Sequence, residues 1–367
     1  MLKPSEYLRR FDWMLFGASA FLAVFGLAVI YGTSLGAGEA AADLGLFWRQ
    51  AGFVALGAAL AITLPAFDYR LLSGSAKLLY ALSAVLLAVV LFFGSTVRGT
   101  TGWLGLFGFG IQPVELVKLL LIVFLARHFS DYARGSRAWR TVILSGLAFA
   151  GVFLLVLAQP DLGSALLLFA IWFAMLVMSG LSRRHILSLL ALFAFVGVIA
   201  WSFFLAPYQK DRITSFLDPD YDPLGRGYNV SQSVIAVGSG GVFGKGLGYG
   251  SQSQLRFLPE RQTDFIFSSA AEELGLVGVV LLLSLFGVLF YRCYVLAAGA
   301  PDGFTAFLVI GIAASLAAEL IINIGGAIRL LPLTGVTLPF VSYGGSSLLV
   351  KFLMVGVLES VAVRGRQ

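Results

Sequence analysis

Apolar runs near the ~20 residues that a helix needs to cross hydrocarbon recur along almost the whole chain. They fall at roughly 13–32, 46–65, 75–94, 112–128, 141–158, 163–180, 186–206, 266–292, 304–325 and 343–362. Strands of a membrane barrel would be short, with alternating polarity; these runs are too long and too uniformly apolar for that. They specify an all-α polytopic membrane protein of ten transmembrane helices, forming a single membrane domain over 1–367. Composition agrees: the 367 residues are 59% hydrophobic and 12% charged, about half the ~25% charge of a soluble domain, so the chain cannot cover itself with polar surface. The first run is of full span length with no small-residue cleavage site behind it, and is expected to be retained. Cys293 is the single cysteine, which excludes a disulfide framework.

Orientation follows from the basic residues of short loops, which stay on the cytoplasmic side. With the N-terminus inside, the inner face collects Lys3, Arg9, Arg10, Arg127, Arg134, Arg137, Arg140, Arg183, Arg184, Arg364 and others, while the short outer loops hold only Arg49, Arg98 and Arg329. Both termini are therefore expected in the cytoplasm. The net charge of +6 belongs to this asymmetry and does not call for nucleic acid. Residues 207–265, between the seventh and eighth spans, form one long extracytoplasmic loop. It is too apolar for disorder and is expected to pack in or against the membrane as re-entrant or interfacial helices.

Several segments carry chemistry-bearing residues. Gly238, Gly240, Gly241, Gly244, Gly246, Gly248 and Gly250 surround Lys245. This cluster lacks the serine or threonine of a phosphate-binding loop and follows no soluble strand, so close backbone approach to a helix or to a ligand's phosphates explains it better. Glu115 and Lys118 lie three apart and share a helix face. A buried ion pair that fixes packing and a polar cavity open to the outer leaflet are both consistent with that spacing, since intramembrane charge is expensive. Asp161 suits a helix N-cap, and Trp103 an interfacial tryptophan. Glu319 and Lys351 are further intramembrane charges. No His, Cys and carboxylate cluster has zinc spacing. Asp264 stands where the long loop, with Arg256 and Arg261, meets the eighth apolar run, and Glu272 and Glu273 follow it. An N-cap, a neighbour for those arginines, and a general base at the water–lipid boundary all fit Asp264. The residues alone leave a transporter and a membrane-surface enzyme open.

Four stretches taken together are more specific: GWLGLFGFGIQPVELVKL at 102–119, QPDLGSALL at 159–167, the segment from 228 to 275 that contains PERQTDFIFSSAAEELG, and LPLTGVTLPFVSYGGSSLL at 331–349. In this order they resemble the SEDS family (shape, elongation, division and sporulation). One departure is Gly102, where many relatives have a basic residue before the tryptophan. The resemblance implies a peptidoglycan glycosyltransferase of the bacterial cytoplasmic (inner) membrane that polymerises lipid II at the outer leaflet. It implies a class B penicillin-binding protein as partner, with other elongation-machinery proteins and membrane lipid, and no nucleic acid. The family's essential aspartate corresponds to Asp264, its carboxylate and lysine on the fourth span to Glu115 and Lys118, and its aspartate after Gln-Pro to Asp161.

A sugar hydroxyl would attack the anomeric carbon of a lipid-linked sugar and expel a diphosphate, inverting the linkage. That requires a base and positive charge on the leaving group. Asp264 is the expected base. Lys118, Arg212, Lys245, Arg256, Arg261 or a divalent cation (Mg or Mn) are the candidates for the positive charge; the metal ligands are unassigned, and no organic cofactor is expected. Trp103, Asp161, Ser342 and Ser346 complete the expected substrate cavity. A lipid II flippase is the main rival; it would need charges lining a path to both faces, whereas acids and glycines concentrate at the outer one. A pure scaffold would not need Asp264. The short termini favour an elongation enzyme over the division-specific type.

Overall fold

A computed structural model describes residues 9–35, 43–97, 99–106, 109–132, 138–204, 210, 214, 216–217, 226–255 and 257–365. Its helices are α1 (Trp13–Ser34), α2 (Gly45–Thr63), α3 (Ala76–Phe93), α4 (Pro113–Tyr132), α5 (Ala138–Leu157), α6 (Leu162–Met178), α7 (Arg183–Ile199), α8 (Arg226–Ser239), α9 (Ile266–Ala298), α10 (Gly303–Ala327) and α11 (Gly345–Arg364), with short helical turns between some of them. Among the described residues eight helices are long and apolar enough to cross a membrane. Of the remaining expected spans, α6 is apolar but has only 17 residues, and α4 carries Glu115, Lys118, Arg127 and Asp131 within its length.

The helix starts are set locally. Asp12 accepts from Leu15 N ahead of α1, Asp161 from Ser164 N ahead of α6, and Asp302 from Thr305 N ahead of α10. Each satisfies one of the backbone donors that a helix leaves unpaired at its start. Pro113 opens α4, where its missing N–H costs nothing. The helices pack as α11 on α2, α9 on α1 and α10, and α4 among α3, α6 and α10. Their buried faces form one large apolar core.

The described residues are mostly helical, in keeping with an all-α membrane protein, with one small exception. Between α3 and α4 lie three short antiparallel strands, β1 (Ser95–Val97), β2 (Thr100–Leu106) and β3 (Phe109–Ile111), in the order β1-β2-β3. Ser95 pairs with Trp103 and Leu104 with Ile111. Thr101 N bonds the carbonyl of Gln159, which ties this sheet to the turn before α6. Gly99, at φ +82, makes the first reversal possible.

The described part of the long loop is built around α8. Val230, Ser233 and Ala236 are buried on one face of this helix, which packs on α9 and touches α10. Ser233 Oγ donates to Ala327 O at 2.7 Å and lies 2.6 Å from Ser268 Oγ, so one hydroxyl joins α8, α9 and α10. This agrees with a loop that packs against the helices.

The eighth apolar run is longer than expected and broken. Gly275 inside α9 has φ 64 and ψ −163. The glycine-rich segment docks into this break: Lys245 N and Gly246 N donate to the carbonyls of Glu272 and Glu273, and Leu276 N and Val277 N donate to those of Gly241 and Val242. A β-carbon at Gly275 would lie 2.6 Å from Val242 O, so two backbones meet where no side chain fits. Close approach to a helix is thus what the glycines provide.

Candidate active site

Asp264 lies half-buried in the turn between the glycine-rich segment and α9. It is not the N-cap: that position is Phe265, with no side-chain capping bond. The backbone of the turn is held from three directions. Tyr343 N donates to Gln262 O at 2.8 Å, Ser342 Oγ to Thr263 O at 2.7 Å, and Asn323 Nδ2 to Asp264 O at 3.0 Å. Asn323 Nδ2 also bonds Val336 O at 2.8 Å, and Ser342 Oγ accepts from Leu338 N. The Gln262 side chain reaches Thr33 and Ser34 at the end of α1. Three successive carbonyls are therefore fixed by α10 and by the 331–344 segment, which orients the Asp264 side chain through its main chain. Gly335, at φ +75, approaches the carboxylate: a β-carbon there would lie 3.7 Å from Asp264 Oδ2.

The 331–344 segment is the hub of this end of the bundle. Gln50 of α2 bonds Ser342 O and Gly344 N. Gln112 N lies 3.4 Å from Ser346 Oγ, while Gln112 Nε2 donates to Asp161 Oδ2 at 3.2 Å. Asp161 thus caps α6, as its position suggested, and also receives this amide. Trp103 sits half-buried on β2, with its ring beside Gly110. Ser342 and Asp264 are brought together. Asp161 and Ser346 meet through Gln112, and Trp103 belongs to the neighbouring sheet.

Glu115 and Lys118 do not line an open cavity; they are closed into a cluster of four charges. Lys118 Nζ is 2.9 Å from Glu115 Oε2 and 2.5 Å from Glu319 Oε1, and Lys351 Nζ is 2.5 Å from Glu115 Oε2 and 3.0 Å from Glu319 Oε2. All four residues are buried, from 0% exposure for Lys118 and Glu319 to 6% for Glu115. Two acids and two bases alternate around a ring, and each lysine touches both carboxylates. A charge in low dielectric survives only with such pairing. Glu319 is four residues before Asn323 on α10, and Lys351 Nζ donates to Ser347 Oγ, itself 3.3 Å from Thr337 Oγ1. The ring therefore locks α4, α10 and α11 about one helical turn from the residues that hold the Asp264 turn.

The glutamates inside α9 have structural partners. Glu272 accepts from Lys245 Nζ at 2.9 Å and from the N–H groups of Gln252 and Ser253; Glu273 accepts from Ser253 Oγ. Lys245 also donates to Ser251 Oγ. Arg261 Nη1 donates to Ser253 O and lines a groove of about 440 Å³ with Leu46, Leu258, Gln262, Thr263 and Tyr343, bordering the turn that carries Asp264. Arg212 and Arg256 lie outside the described residues. Among the candidate cations, Lys118 is committed to the ring, Lys245 is shared with Glu272, and Arg261 lies on the groove.

Sequence reasoning missed Asn323, Gln50, Gln112 and Gln262, and could not place Glu319 and Lys351. The available signal was a side-chain amide or a charge inside an apolar run, each of which must find a partner in the bundle.

The family model FTSW_RODA_SPOVE, described as cell cycle protein, matches residues 12–367. Stage V sporulation protein E of Bacillus subtilis (strain 168) is 38% identical over 358 residues, covering 96% of each chain. Peptidoglycan glycosyltransferase MrdB of Escherichia coli (strain K12) is 39% identical over 340 residues, 93% of this chain and 90% of that one. A solved chain described by the phrase "structural coordination of polymerization and crosslinking by a peptidoglycan synthase complex" superposes with a TM-score of 0.81 at 37% identity, covering 97% of this chain and 99% of that one. The Thermus thermophilus rod shape determining protein RodA does so with a TM-score of 0.72 at 32% identity, covering 97% and 98%. The aspartate turn, its glycine-rich support and the 331–344 hub thus lie within a match that runs almost end to end, and the chain belongs to the FtsW/RodA/SpoVE family of cell cycle proteins.

Proposed function

We propose that this multi-pass membrane protein is a peptidoglycan glycosyltransferase that polymerises lipid II at the outer face of the bacterial cytoplasmic membrane, in cell elongation and rod shape. The observation that carries the chemistry is Asp264: a carboxylate on a turn whose own carbonyl and the two before it are fixed, beside a groove containing Arg261. Relatives described as peptidoglycan glycosyltransferase MrdB and rod shape determining protein RodA support the substrate and the cellular role.

Asp264 accepts the proton of the acceptor sugar hydroxyl as its oxygen bonds to the anomeric carbon of the donor. The bond from that carbon to the lipid diphosphate breaks on the opposite face, so the α-linkage becomes β. Arg261 is placed to offset the charge that develops on the leaving diphosphate, a task for preorganised cations. Lys118 does not serve it, because its ammonium is held between two carboxylates. Among the described residues no three His, Cys, Asp or Glu side chains converge to hold a metal ion; a divalent cation bound mainly by the substrate's diphosphate would need only one or two protein carboxylates. The four intramembrane charges of the ring pair with one another and do not line a path, which speaks against a flippase.

The proposed topology has ten spans, with α4 and α6 as the two short or charged ones. Asp12, ahead of α1, bonds Glu359 near the end of α11 through its N–H at 2.9 Å and pairs with Arg292 of α9. That brings the start of α1 and the end of α11 together with the far end of α9, away from Asp264, which supports cytoplasmic termini. A class B penicillin-binding protein is the proposed partner, supported by the likeness to a synthase complex.

The test is polymerisation of purified lipid II by the purified chain, alone and with its penicillin-binding partner. Glycan strands made by the parent and lost in Asp264→Asn are the expected result. Equal activity of parent and Asp264→Asn would remove the assignment.

A further inference from the structure

On the flank of the site formed by α8 and the end of α10, a second groove of about 660 Å³ opens. It is lined by Phe216, Val234, Ile235 and Ile328 together with Ser231 and one cation, Arg329. Val234 and Ile235 are 42% and 49% exposed, as lipid-facing residues are, and two features of Arg329 set the groove apart from ordinary lipid-facing surface. Arg329 is exposed, and among the described residues its guanidinium has no hydrogen bond or ion pair. Its backbone stands at φ 59, a left-handed conformation that glycine adopts freely and arginine only at a cost. The fold alone would be better served by glycine at 329; the arginine side chain is the feature left to account for.

The groove is also connected to the elements that carry Asp264. Ser233, between the groove residues Ser231 and Val234, is bonded to Ser268 and Ala327, and Ser268 lies one turn beyond Asp264. Arg329 follows, by six residues, the asparagine that holds the Asp264 carbonyl.

Resting on the glycosyltransferase reading, we infer that this groove is a binding site for a single polyprenyl chain and that Arg329 holds the phosphate at its head. One apolar channel with one cation at its rim fits one chain and one phosphate. A bilayer phospholipid has two chains to place. An exposed arginine gives charge-assisted, bidentate bonds to phosphate oxygens, and the apolar lining takes the adjoining isoprene units from the bilayer without loss of contact.

The experiment compares Arg329→Gly, Arg329→Asn and Arg329→Lys in the purified full chain. The first readout is the thermal stabilisation produced by undecaprenyl phosphate and, separately, by phosphatidylglycerol. The second is KM and kcat for lipid II polymerisation with the penicillin-binding partner present. Arg329→Gly and Arg329→Asn should melt no lower than the parent, because both residues accept positive φ. They should lose most of the stabilisation by undecaprenyl phosphate and raise KM about tenfold, the worth of one charge-assisted hydrogen bond, while kcat stays within about twofold. Arg329→Lys should fall between. Ile235→Trp, which fills the groove without touching the arginine, should abolish the same stabilisation. Undiminished stabilisation and KM in Arg329→Gly, or equal stabilisation of the parent by phosphatidylglycerol, would overturn the inference. A parent that binds undecaprenyl phosphate through Arg329 but makes no glycan would instead overturn the glycosyltransferase reading and leave the groove assignment standing.

Discussion

The Asp264 turn and the Glu115–Lys118–Glu319–Lys351 ring are joined through α10, where Glu319 lies one helical turn before Asn323, and they hold their carboxylates differently. In the ring, every carboxylate and ammonium is spent on its neighbours at 2.5–3.0 Å and sealed from solvent. At the turn, three successive carbonyls are held, Asp264 is half-buried, and it does not cap the helix behind it. A charge whose partners are complete does architecture. The Asp264 turn instead has its position set through main-chain carbonyls held by Asn323, Ser342 and Tyr343.

The sharpest way to break this comparison is at Asp264 itself. Asp264→Asn keeps the shape and every main-chain bond of the turn, so melting temperature and binding to the penicillin-binding partner should match the parent. Lipid II polymerisation should fall by about 10²–10⁴-fold, the usual worth of general base catalysis. A variant that melts early yet polymerises normally per folded molecule would place Asp264 with the ring, as architecture.

The ring should respond in the reverse sense. Lys118→Met leaves two buried carboxylates to share one ammonium and should destabilise the protein by about 3–5 kcal/mol, measured as a fall in thermal or denaturant midpoint in detergent. The double variant Glu319→Gln with Lys351→Met removes one acid and one base and leaves the neutral Glu115–Lys118 pair. It should cost well under the sum of its single variants, a coupling of about 1–3 kcal/mol in a double-mutant cycle. Additive losses would mean that the four charges do not act as a unit.

Asn323 joins the two regions, and its variant should show both behaviours in reduced form. Asn323→Ala strands the carbonyls of Asp264 and Val336 and should cost about 1–3 kcal/mol of stability, with kcat lowered more than KM is raised. The smallest effect is expected at Glu260, whose carboxylate accepts from Thr263 Oγ1 at 3.0 Å. An amide oxygen can accept the same bond, so Glu260→Gln should change stability by less than about 0.5 kcal/mol and leave polymerisation near the parent rate. A large loss there would give the turn a second functional carboxylate.

What could be read from the sequence was whatever local physics decides. Apolar run length determined the helices, because a backbone in hydrocarbon must satisfy its own hydrogen bonds and only a helix does so within one segment. Asp161 was legible as a cap because capping needs nothing beyond the next three residues. The glycine cluster around Lys245 was legible as a site of close approach because a residue without a side chain in a polar loop has few other uses. The position of Asp264, at the boundary between loop and apolar run, could be read in the same way, though not which of its roles applied.

Tertiary structure decided the rest. The lysines of the ring meet Glu319 from 201 positions away in one case and Glu115 from 236 in the other, and which charges meet depends on how α4, α10 and α11 pack, which no local pattern encodes. The break at Gly275 exists because the glycine-rich segment supplies the backbone partners that the helix gives up there. The sheet of β1, β2 and β3 has strands of three to seven residues, too short to leave a periodic signal in a glycine-rich stretch. The Asp264 carbonyl is held by Asn323, 59 positions away. Sequence determines where the chain is helical and where its charges stand, because those follow from neighbours along the backbone; which charges meet, and what holds the Asp264 turn, follows from neighbours in space.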